Sequence, residues 1–292
     1  QRQMCIIDRR LPILVHGPWK GEEATVDVSK SSQPYSSLLL ASCGLERDYV
    51  IHKKGISVSR RHSGLTIELM EKCGAAIEIT EEKTIISPWI SNPPSKWNVP
   101  SDGSMMSFPI LACLLTKQPI RIENPVDAND ALGHEILFNH LSSFGIDYQD
   151  LTLRCNGSFD EVDIDLRDAN DLLPPLAAIL ALSGGGRLRG AAHAKHKESN
   201  RILSTKKLLE AFGLTATIEG DGLSIEGEQT LTTPDSLVDT HGDHRIQMTA
   251  VLLATQTGAT VEGPRLHRIA DPEFLTRLSA MPTEVLVKGI QR

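Results

Sequence analysis

Four short segments of the sequence combine residue types that bind anions or transfer protons. The first, Ser31-Ser32-Gln33, places two hydroxyls and an amide directly before an apolar run. If that run is a helix, its first backbone N–H groups are unpaired and its dipole is positive there, which favours a bound oxyanion. The same residues are also ordinary helix N-caps, so the segment is consistent with an anion site or with a purely structural helix start.

The second segment, Lys197-Glu198-Ser199-Asn200-Arg201, sets a carboxylate between two cations. We predict that this segment opens a helix, where Lys197 and Arg201 lie four residues apart and share one face. A salt-bridged surface would give the same pattern. The alternative is that Glu198 is a proton-transfer group in a site that binds anions.

The other two segments, Asp243-His244-Arg245 and Asp171, precede further apolar runs. Because apolar residues follow Arg245, we expect its guanidinium to be held against the protein, where a bidentate contact with a carboxylate or phosphate is its natural use. His244 fits a core or capping histidine equally well. Asp171 and Asp243 are predicted to be helix N-caps, and the helix after Asp171 carries two prolines in its first turn.

These segments stand at the starts of elements that recur along the chain. Apolar runs begin near Ser31, Ser104, Asp171 and Asp243, about 70 residues apart. Each run predicts a buried helix. A short β-like segment follows each run, and a more amphipathic helix comes next. Because equivalent ends of packed repeats point the same way, we expect the polar segments to face one cleft.

The residues after the amphipathic helices complete the predicted unit. Three of these helices end at a glycine in the left-handed conformation, namely Gly74, Gly145 and Gly213. The stretch that follows Gly213 predicts a β-hairpin around Gly220-Asp221-Gly222. The repeat is therefore predicted to be a βαβαββ unit.

The composition is that of a globular protein with an acidic balance. Apolar residues make up 40% and the formal net charge is −7, which argues against a general nucleic-acid binder. The five cysteines are scattered and lack Cys-x-x-Cys spacing, so we expect reduced thiols in a cytosolic protein rather than a metal site or a disulfide framework. No apolar run approaches the length of a membrane span, and we do not expect Gln1–Cys5 to belong to a signal peptide. Because an initiator Met is missing, we expect the chain to begin inside a longer one.

The ordered set of motifs resembles the 5-enolpyruvylshikimate-3-phosphate synthase family of enolpyruvyl transferases. The matching segments are Val26–Gln33, Val99–Asp102, Lys197–Arg201 and Asp243–Arg245. The resemblance covers essentially the whole chain and implies an α/β fold, an inside-out α/β barrel of βαβαββ units around buried helices. It implies a remnant of the first domain over residues 1–98, with about one unit, and a near-complete second domain over 99–292, with three. The Pro- and Ser-rich segment Ile90–Lys96 marks the boundary.

The resemblance also implies a reaction. The family joins phosphoenolpyruvate to the 5-hydroxyl of shikimate 3-phosphate and releases phosphate, through a tetrahedral intermediate and without a metal or organic cofactor. Two groups move the protons, and arginines hold the anionic substituents in place. The implied partners are these two small molecules, with no nucleic acid and no membrane. The resemblance also implies a cytoplasmic protein. We expect it to be a monomer if the chain is complete, and otherwise to need the missing N-terminal part.

The family's site residues carry over by position. Asp171 and Glu198 would transfer protons. The residues that would bind shikimate 3-phosphate are Ser31, Ser32, Gln33, Ser59, Asp171, His193 and Lys197. Those that would bind phosphoenolpyruvate are Gln33, Arg201, His244 and Arg245.

Several features depart from the family's pattern. Its N-terminal Gly-Ser-Lys-Ser motif and its first-domain arginine have no counterpart here. His62 replaces the shikimate-binding tyrosine, His193 replaces an asparagine, and the late Lys-Ser-Phe-Pro motif reads Ile269-Ala270-Asp271-Pro272. Two other functions therefore stay open. One is a non-catalytic or impaired descendant that binds an anion or a partner protein, and the other is an enolpyruvyl transferase with another acceptor, such as a nucleotide sugar.

Overall fold

The computed structural model describes residues 21–127 and 133–281, so the sequence features at Gln1–Cys5 lie outside it. The described β-strands are β1 (Glu23–Asp27), β2 (Tyr49–Lys54), β3 (Ile77–Ile79), β4 (Lys83–Ile86), β5 (Ile120–Arg121), β6 (Ile146–Gln149), β7 (Thr152–Cys155), β8 (Val162–Asp165), β9 (Gly186–Arg189), β10 (Ala216–Glu219) and β11 (Gly222–Ile225). The α-helices are α1 (Gln33–Ala41), α2 (Arg60–Lys72), α3 (Ser107–Thr116), α4 (Ile136–Asn139), α5 (Leu173–Leu182), α6 (Arg201–Ala211), α7 (His244–Thr257) and α8 (Phe274–Ser279).

Two copies of the predicted βαβαββ unit are complete. The first contains β1–β4 with α1 and α2, and its sheet has the order β1-β2-β4-β3. The second contains β8–β11 with α5 and α6, and its sheet has the matching order β8-β9-β11-β10. In both, the first two strands are parallel and the last two form an antiparallel hairpin. The shared order confirms the predicted repeat.

Two further copies are partial within the described residues. Strands β5, β6 and β7 form a sheet of order β5-β7-β6 after α3. Around α7, a single parallel bridge joins Val238 to Val261, so the β-like segment predicted after this apolar run is reduced to this bridge. The glycines predicted to end the second helices have positive φ angles, 98° at Gly74, 72° at Gly145 and 76° at Gly213.

Three buried helices lie at the centre of the larger apolar cluster. Helices α3, α5 and α7 contact one another, and sheets pack around them. Every residue from Leu173 to Ala181 in α5 is buried. Leucine, isoleucine and alanine fill this interior, and each fully buried leucine or isoleucine contributes about 1.5–3 kcal/mol. Helices inside and sheets outside correspond to the predicted inside-out α/β barrel.

The prediction of a buried helix is wrong for α1. Only Tyr35 and Leu39 of this helix are buried, and the side chain of Leu40 is 55% exposed. The reason is packing, because α1 contacts α2 and does not join α3, α5 and α7. An apolar run specifies a helix that can be buried, but the number of neighbouring helices decides how much of its surface is covered.

The described apolar residues form two separate clusters. The smaller cluster extends from Val26 to Trp89, and the larger one from Met106 to Leu278. No helix or strand is assigned between β4 and Gly103, a stretch that includes the predicted linker Ile90–Lys96. The division at residue 98 stays a prediction. Within the described ranges, no helix has both the length and the apolar character needed to cross a bilayer.

Candidate functional site

Arg201 forms the centre of a cluster of charged side chains at the starts of α5, α6 and α7. It is the first residue of α6 and only 1% exposed. Its Nε donates to Asp243 Oδ2 at 2.8 Å, its Nη1 to Asp171 Oδ1 at 2.5 Å and its Nη2 to Glu198 Oε2 at 2.6 Å. We call Asp171, Glu198, Arg201, Asp243 and Arg245 the Arg201 cluster.

The start of α6 differs from the prediction. Asn200 is the N-cap, and its side chain accepts a hydrogen bond from the backbone N–H of Leu203 at 3.3 Å. Lys197 and Glu198 therefore precede the helix, and the predicted helical i, i+4 arrangement of Lys197 and Arg201 is wrong. Because the chain bends before Asn200, the Glu198 carboxylate reaches the Arg201 guanidinium.

Asp243 is the fully buried member of the cluster. Its carboxylate caps α7 by accepting from the Arg245 backbone N–H at 2.9 Å, as predicted from the sequence. It also accepts from Ser199 Oγ at 3.1 Å. Burial alone would raise the pKa of Asp243, but the Arg201 charge and these hydrogen bonds outweigh it and hold the pKa below its ordinary value.

Asp171 is not the N-cap that the sequence predicted. It lies in a 3₁₀ turn before α5, where Leu172 has the N-cap position. Its carboxylate instead bridges Arg201 and Arg245, with Arg245 Nη2 3.5 Å from Asp171 Oδ2. Burial would raise its pKa, but Arg245, Arg201 and Lys197 together hold the pKa far below the usual range. The carboxyl group is therefore ionised at neutral pH.

Arg245 is the cation with unused donors. It is 5% exposed, and its Nη2 donates to Ser104 Oγ at 2.8 Å. Its Nε and Nη1 are buried and have no hydrogen-bond partner among the described residues. An unpaired buried donor costs about 1–3 kcal/mol, so both nitrogens are available to donate to an anionic oxygen.

Two predicted histidines lie nearby as neutral groups. His193 is 3% exposed and both of its ring nitrogens are unpartnered within the described chain. Burial, followed by the charge of Lys197, lowers its pKa to about 4. His244 begins α7, and burial and then Arg245 lower its pKa. Each neutral ring can donate a hydrogen bond to a ligand or accept one from it without adding a charge to the site.

Ser59 lies where the start of α2 meets the turn before α5. It has a left-handed backbone, with φ 50°, and its N–H donates to the Arg167 carbonyl at 3.1 Å. Asn170 Nδ2 donates to Ser59 Oγ at 3.4 Å. The neighbouring Arg60 binds Asp168 through its backbone N–H at 2.8 Å and through its guanidinium at 2.6 Å. These contacts bring Ser59 to the turn that carries Asp171.

The segment Ser31-Ser32-Gln33 lies at the start of α1. Ser31 Oγ accepts from the Gln33 backbone N–H at 3.2 Å, Ser32 is buried without a side-chain capping bond, and Gln33 is exposed. Among the residues described, no hydrogen bond or ion pair links this segment to the Arg201 cluster. Its part in a shared cleft stays a prediction.

Sequence reasoning gave no role to several groups at the site. Ser104 contacts Arg245 from the turn before α3, and the Asp102 carboxylate accepts a hydrogen bond from the Ser104 hydroxyl. His134 is 3% exposed with an unpartnered Nε2, and its ring meets His62 edge-to-face at 6.0 Å. Asp102 belongs to Val99–Asp102, one of the segments that resemble the family, whereas nothing in the local sequence distinguishes His134.

The described residues offer no metal site. Across 21–127 and 133–281, no group of three or more His, Cys, Asp or Glu side chains is placed to hold a metal ion. A cavity of about 360 Å³ lies against the β8–β11 sheet, with Glu161, Thr215 and Ser224 in its lining. It shares no residue with the Arg201 cluster, and its position gives no reason to connect it with the charged groups.

We expect the free energy of unfolding to fall as the pH is lowered from 8 to 5. The folded-state pKa values of His62, His134, His193 and His244 lie below the ordinary value, chiefly because of burial. Each such histidine contributes its full stabilisation at pH values above its pKa in the unfolded chain, about 6.5. Below that pH, the free energy of unfolding falls by about 1.4 kcal/mol per pH unit per group, until the pH reaches the pKa of the group in the folded state. Urea unfolding at both pH values measures the loss, and His193→Asn should reduce it. Equal stability at both pH values would contradict the expectation.

Known proteins resemble the chain in sequence and in fold. The family model described as EPSP synthase (3-phosphoshikimate 1-carboxyvinyltransferase) matches residues 7–278. The 3-phosphoshikimate 1-carboxyvinyltransferase of Methanocella arvoryzae is 30% identical over 284 residues, covering 94% of this chain and 66% of the relative. That of Korarchaeum cryptofilum is 31% identical over 280 residues, covering 90% and 63%. The chain thus spans just under two thirds of the length of these relatives.

Solved structures share the fold at lower identity. EPSP synthase from Acinetobacter baumannii superimposes with a TM-score of 0.68 at 21% identity, covering 90% of this chain and 63% of that one. The enolpyruvyl transferase NikO from Streptomyces tendae gives a TM-score of 0.60 at 16% identity, covering 89% and 64%. These similarities agree with the inside-out α/β barrel that the family resemblance implied.

Proposed function

Because the chain belongs to the EPSP synthase family, we propose that it acts in the transfer of the enolpyruvyl group of phosphoenolpyruvate to the 5-hydroxyl of shikimate 3-phosphate. The observation that carries the proposal is the Arg201 cluster. It combines the partly exposed carboxylates of Asp171 and Glu198 with the buried Arg245, two of whose nitrogens have no hydrogen-bond partner among the described residues. These are the groups needed to hold a dianion beside two proton-transfer residues.

Arg245 is proposed to bind the phosphate or carboxylate of phosphoenolpyruvate. Its Nε and Nη1 are free of partners in the described chain, and Ser104 takes only one of the two N–H groups on Nη2, so more than one edge of the guanidinium can donate to anionic oxygens. Arg201 differs, because all three of its nitrogens already donate to carboxylates. Among those, Glu198 is the most exposed, at 45%. We expect Arg201 to reach substrate only where the Glu198 carboxylate has moved aside.

Asp171 and Glu198 are proposed to transfer the protons. The acceptor hydroxyl oxygen bonds to C2 of phosphoenolpyruvate as it loses its proton, and C3 gains one. The C3 proton is then removed as the bond from C2 to the phosphate oxygen breaks, which releases phosphate. At rest the surrounding cations make Asp171 a weak base. Anionic substrates would offset those cations and raise its pKa, so base strength would increase with occupancy.

The acceptor is proposed to lie on the side of Ser59, His193 and Lys197. Ser59 and Asn170 approach each other where the start of α2 meets the turn before α5, and His193 offers two unpartnered ring nitrogens. Lys197 acts on both Asp171 and His193 through its charge. Ser31, Ser32 and Gln33 complete the proposed shikimate 3-phosphate site, with Gln33 between the two substrates.

The test of the function is phosphate release from phosphoenolpyruvate and shikimate 3-phosphate. Release that requires both compounds supports the proposal. Binding of phosphoenolpyruvate without release would favour a non-catalytic anion-binding descendant. Release with a different acceptor would favour a related enolpyruvyl transferase. A cytoplasmic location is part of the proposal, and the free thiols of Cys43, Cys73, Cys113 and Cys155 are consistent with a reducing compartment.

Replacing Arg245 with alanine should weaken phosphoenolpyruvate binding by about 2–5 kcal/mol, as expected when one partner of a buried charge pair is removed. Calorimetric titration of the wild type and the variant measures the change. Arg189→Ala is the matched control, because Arg189 pairs with Asp163 on the exposed sheet face. Unchanged affinity in Arg245→Ala would mean that this arginine has only a structural role.

A further inference from the structure

A serine and an aspartate in the turn before α3 hold Arg245 in place. Ser104 is 1% exposed and its Oγ lies 2.8 Å from Arg245 Nη2 and 2.7 Å from Asp102 Oδ1. The Asp102 carboxylate also accepts from the Ser104 backbone N–H at 2.9 Å, which fixes the turn. Asp102 ends the segment Val99–Asp102, which resembles the family, but the sequence alone indicates no role for it.

The direction of these hydrogen bonds is determined by the groups involved. A guanidinium only donates, so Ser104 Oγ accepts from Arg245. The single hydroxyl proton is then free to go to Asp102, whose carboxylate only accepts. Ser104 therefore presents a lone pair to Arg245, and Asp102 keeps it in that orientation.

The alternative partner for Arg245 is close by. Asp171 Oδ2 lies 3.5 Å from the same Nη2 nitrogen, beyond a good hydrogen bond but within reach of a small side-chain rotation. A guanidinium beside a carboxylate readily forms a bidentate pair. Such a pair would occupy two donors of Arg245 and leave fewer for a ligand.

We propose that Asp102 and Ser104 are positioning residues that keep Arg245 from closing onto Asp171. This inference rests on the proposed function, in which Arg245 binds phosphoenolpyruvate and Asp171 transfers a proton. A neutral hydroxyl suits the task, because it satisfies Nη2 without cancelling the charge that the anion needs. Because Ser104 keeps the ion pair with Asp171 at 3.5 Å, the other donors of Arg245 stay available to the anion.

The experiment is a titration of phosphoenolpyruvate into serine variants. Ser104→Ala should raise the Kd about tenfold, the size expected for one hydrogen bond to a charged group. Ser104→Thr keeps the hydroxyl and should restore most of the affinity. Ser107→Ala is the control, because Ser107 is equally buried in the same segment and its Oγ donates only to the Ser104 carbonyl. Its Kd should match that of the wild type.

A second substitution separates collapse of Arg245 from a general structural effect. If Arg245 has closed onto Asp171 in Ser104→Ala, adding Asp171→Asn removes the attraction and should recover affinity about threefold or more. A merely structural serine would give no more recovery than Asp171→Asn gives in the wild-type background. Asp102→Ala provides a variant at an exposed position that should fold, and it should raise the Kd about threefold because the hydroxyl loses its acceptor.

The possible failures are distinguishable. Wild-type chain that does not bind phosphoenolpyruvate overturns the proposed function. Wild type and Ser104→Ala that bind equally well overturn the positioning role while leaving the function intact. Weak binding in Ser104→Ala without recovery on adding Asp171→Asn also overturns it, since the loss would not arise from a contact with Asp171.

Discussion

Replacing Arg201 with methionine is expected to lower the free energy of unfolding by about 3–5 kcal/mol, the usual result of removing one partner from a buried ion pair. Asp243 is completely buried, so its charge would be left in the interior without Arg201. Asp171 would lose its 2.5 Å hydrogen bond as well. Methionine retains much of the side-chain volume, so the loss reports mainly on charge. Urea unfolding followed by far-ultraviolet circular dichroism measures it.

The pH dependence of this variant distinguishes a charge effect from a packing effect. As the pH falls towards 4, Asp243 can be protonated in the variant, and the deficit relative to wild type should shrink. Arg189→Met, at an exposed ion pair, should change stability by less than about 1 kcal/mol. A deficit that stays constant with pH would show that lost packing, rather than an unpaired carboxylate, explains the effect.

Replacing Glu198 with glutamine should reduce phosphate release by about 10²–10⁴-fold, the range for loss of a general acid or base. The amide has the same shape but cannot transfer the proton. Because the Glu198 carboxylate is 45% exposed, we expect the stability of the variant to stay close to that of the wild type. The measurement is the rate of phosphate release at saturating concentrations of both substrates.

The matched control for this change is Glu210→Gln. Glu210 lies on the exposed side of α6, where it pairs with Lys206. This variant should retain the wild-type rate. Full activity in Glu198→Gln would contradict the proton-transfer role. A large rise in the Kd for phosphoenolpyruvate at an unchanged rate would instead assign Glu198 to substrate positioning.

Features set by short-range interactions could be predicted from the sequence. Asp243 caps α7 because its side chain needs only the N–H group two residues ahead. The hairpin of β10 and β11 follows from the glycines that flank Asp221. The repeat could be predicted because each unit needs an apolar helix, so apolar runs recur in the sequence at a nearly constant spacing.

Features set by distant partners could not be predicted. Asp171 has the sequence context of an N-cap, but two arginines far along the chain bind its carboxylate. The exposure of α1 depends on which helices pack against it, and the start of α6 depends on the bend that carries Glu198 to Arg201. The contribution of His134 to the site arises only from its placement beside His62.

The positions of the tryptophans determine which part of the molecule tryptophan fluorescence reports on. All three tryptophans of the chain, Trp19, Trp89 and Trp97, precede residue 98. Trp89 is buried in the smaller apolar cluster, where its indole N–H donates to Ser42 Oγ at 3.0 Å. The cluster around α3, α5 and α7 contains none. Of the two tryptophans within the described residues, Trp89 therefore reports on the smaller cluster and Trp97 on the segment after it, and neither belongs to the larger cluster.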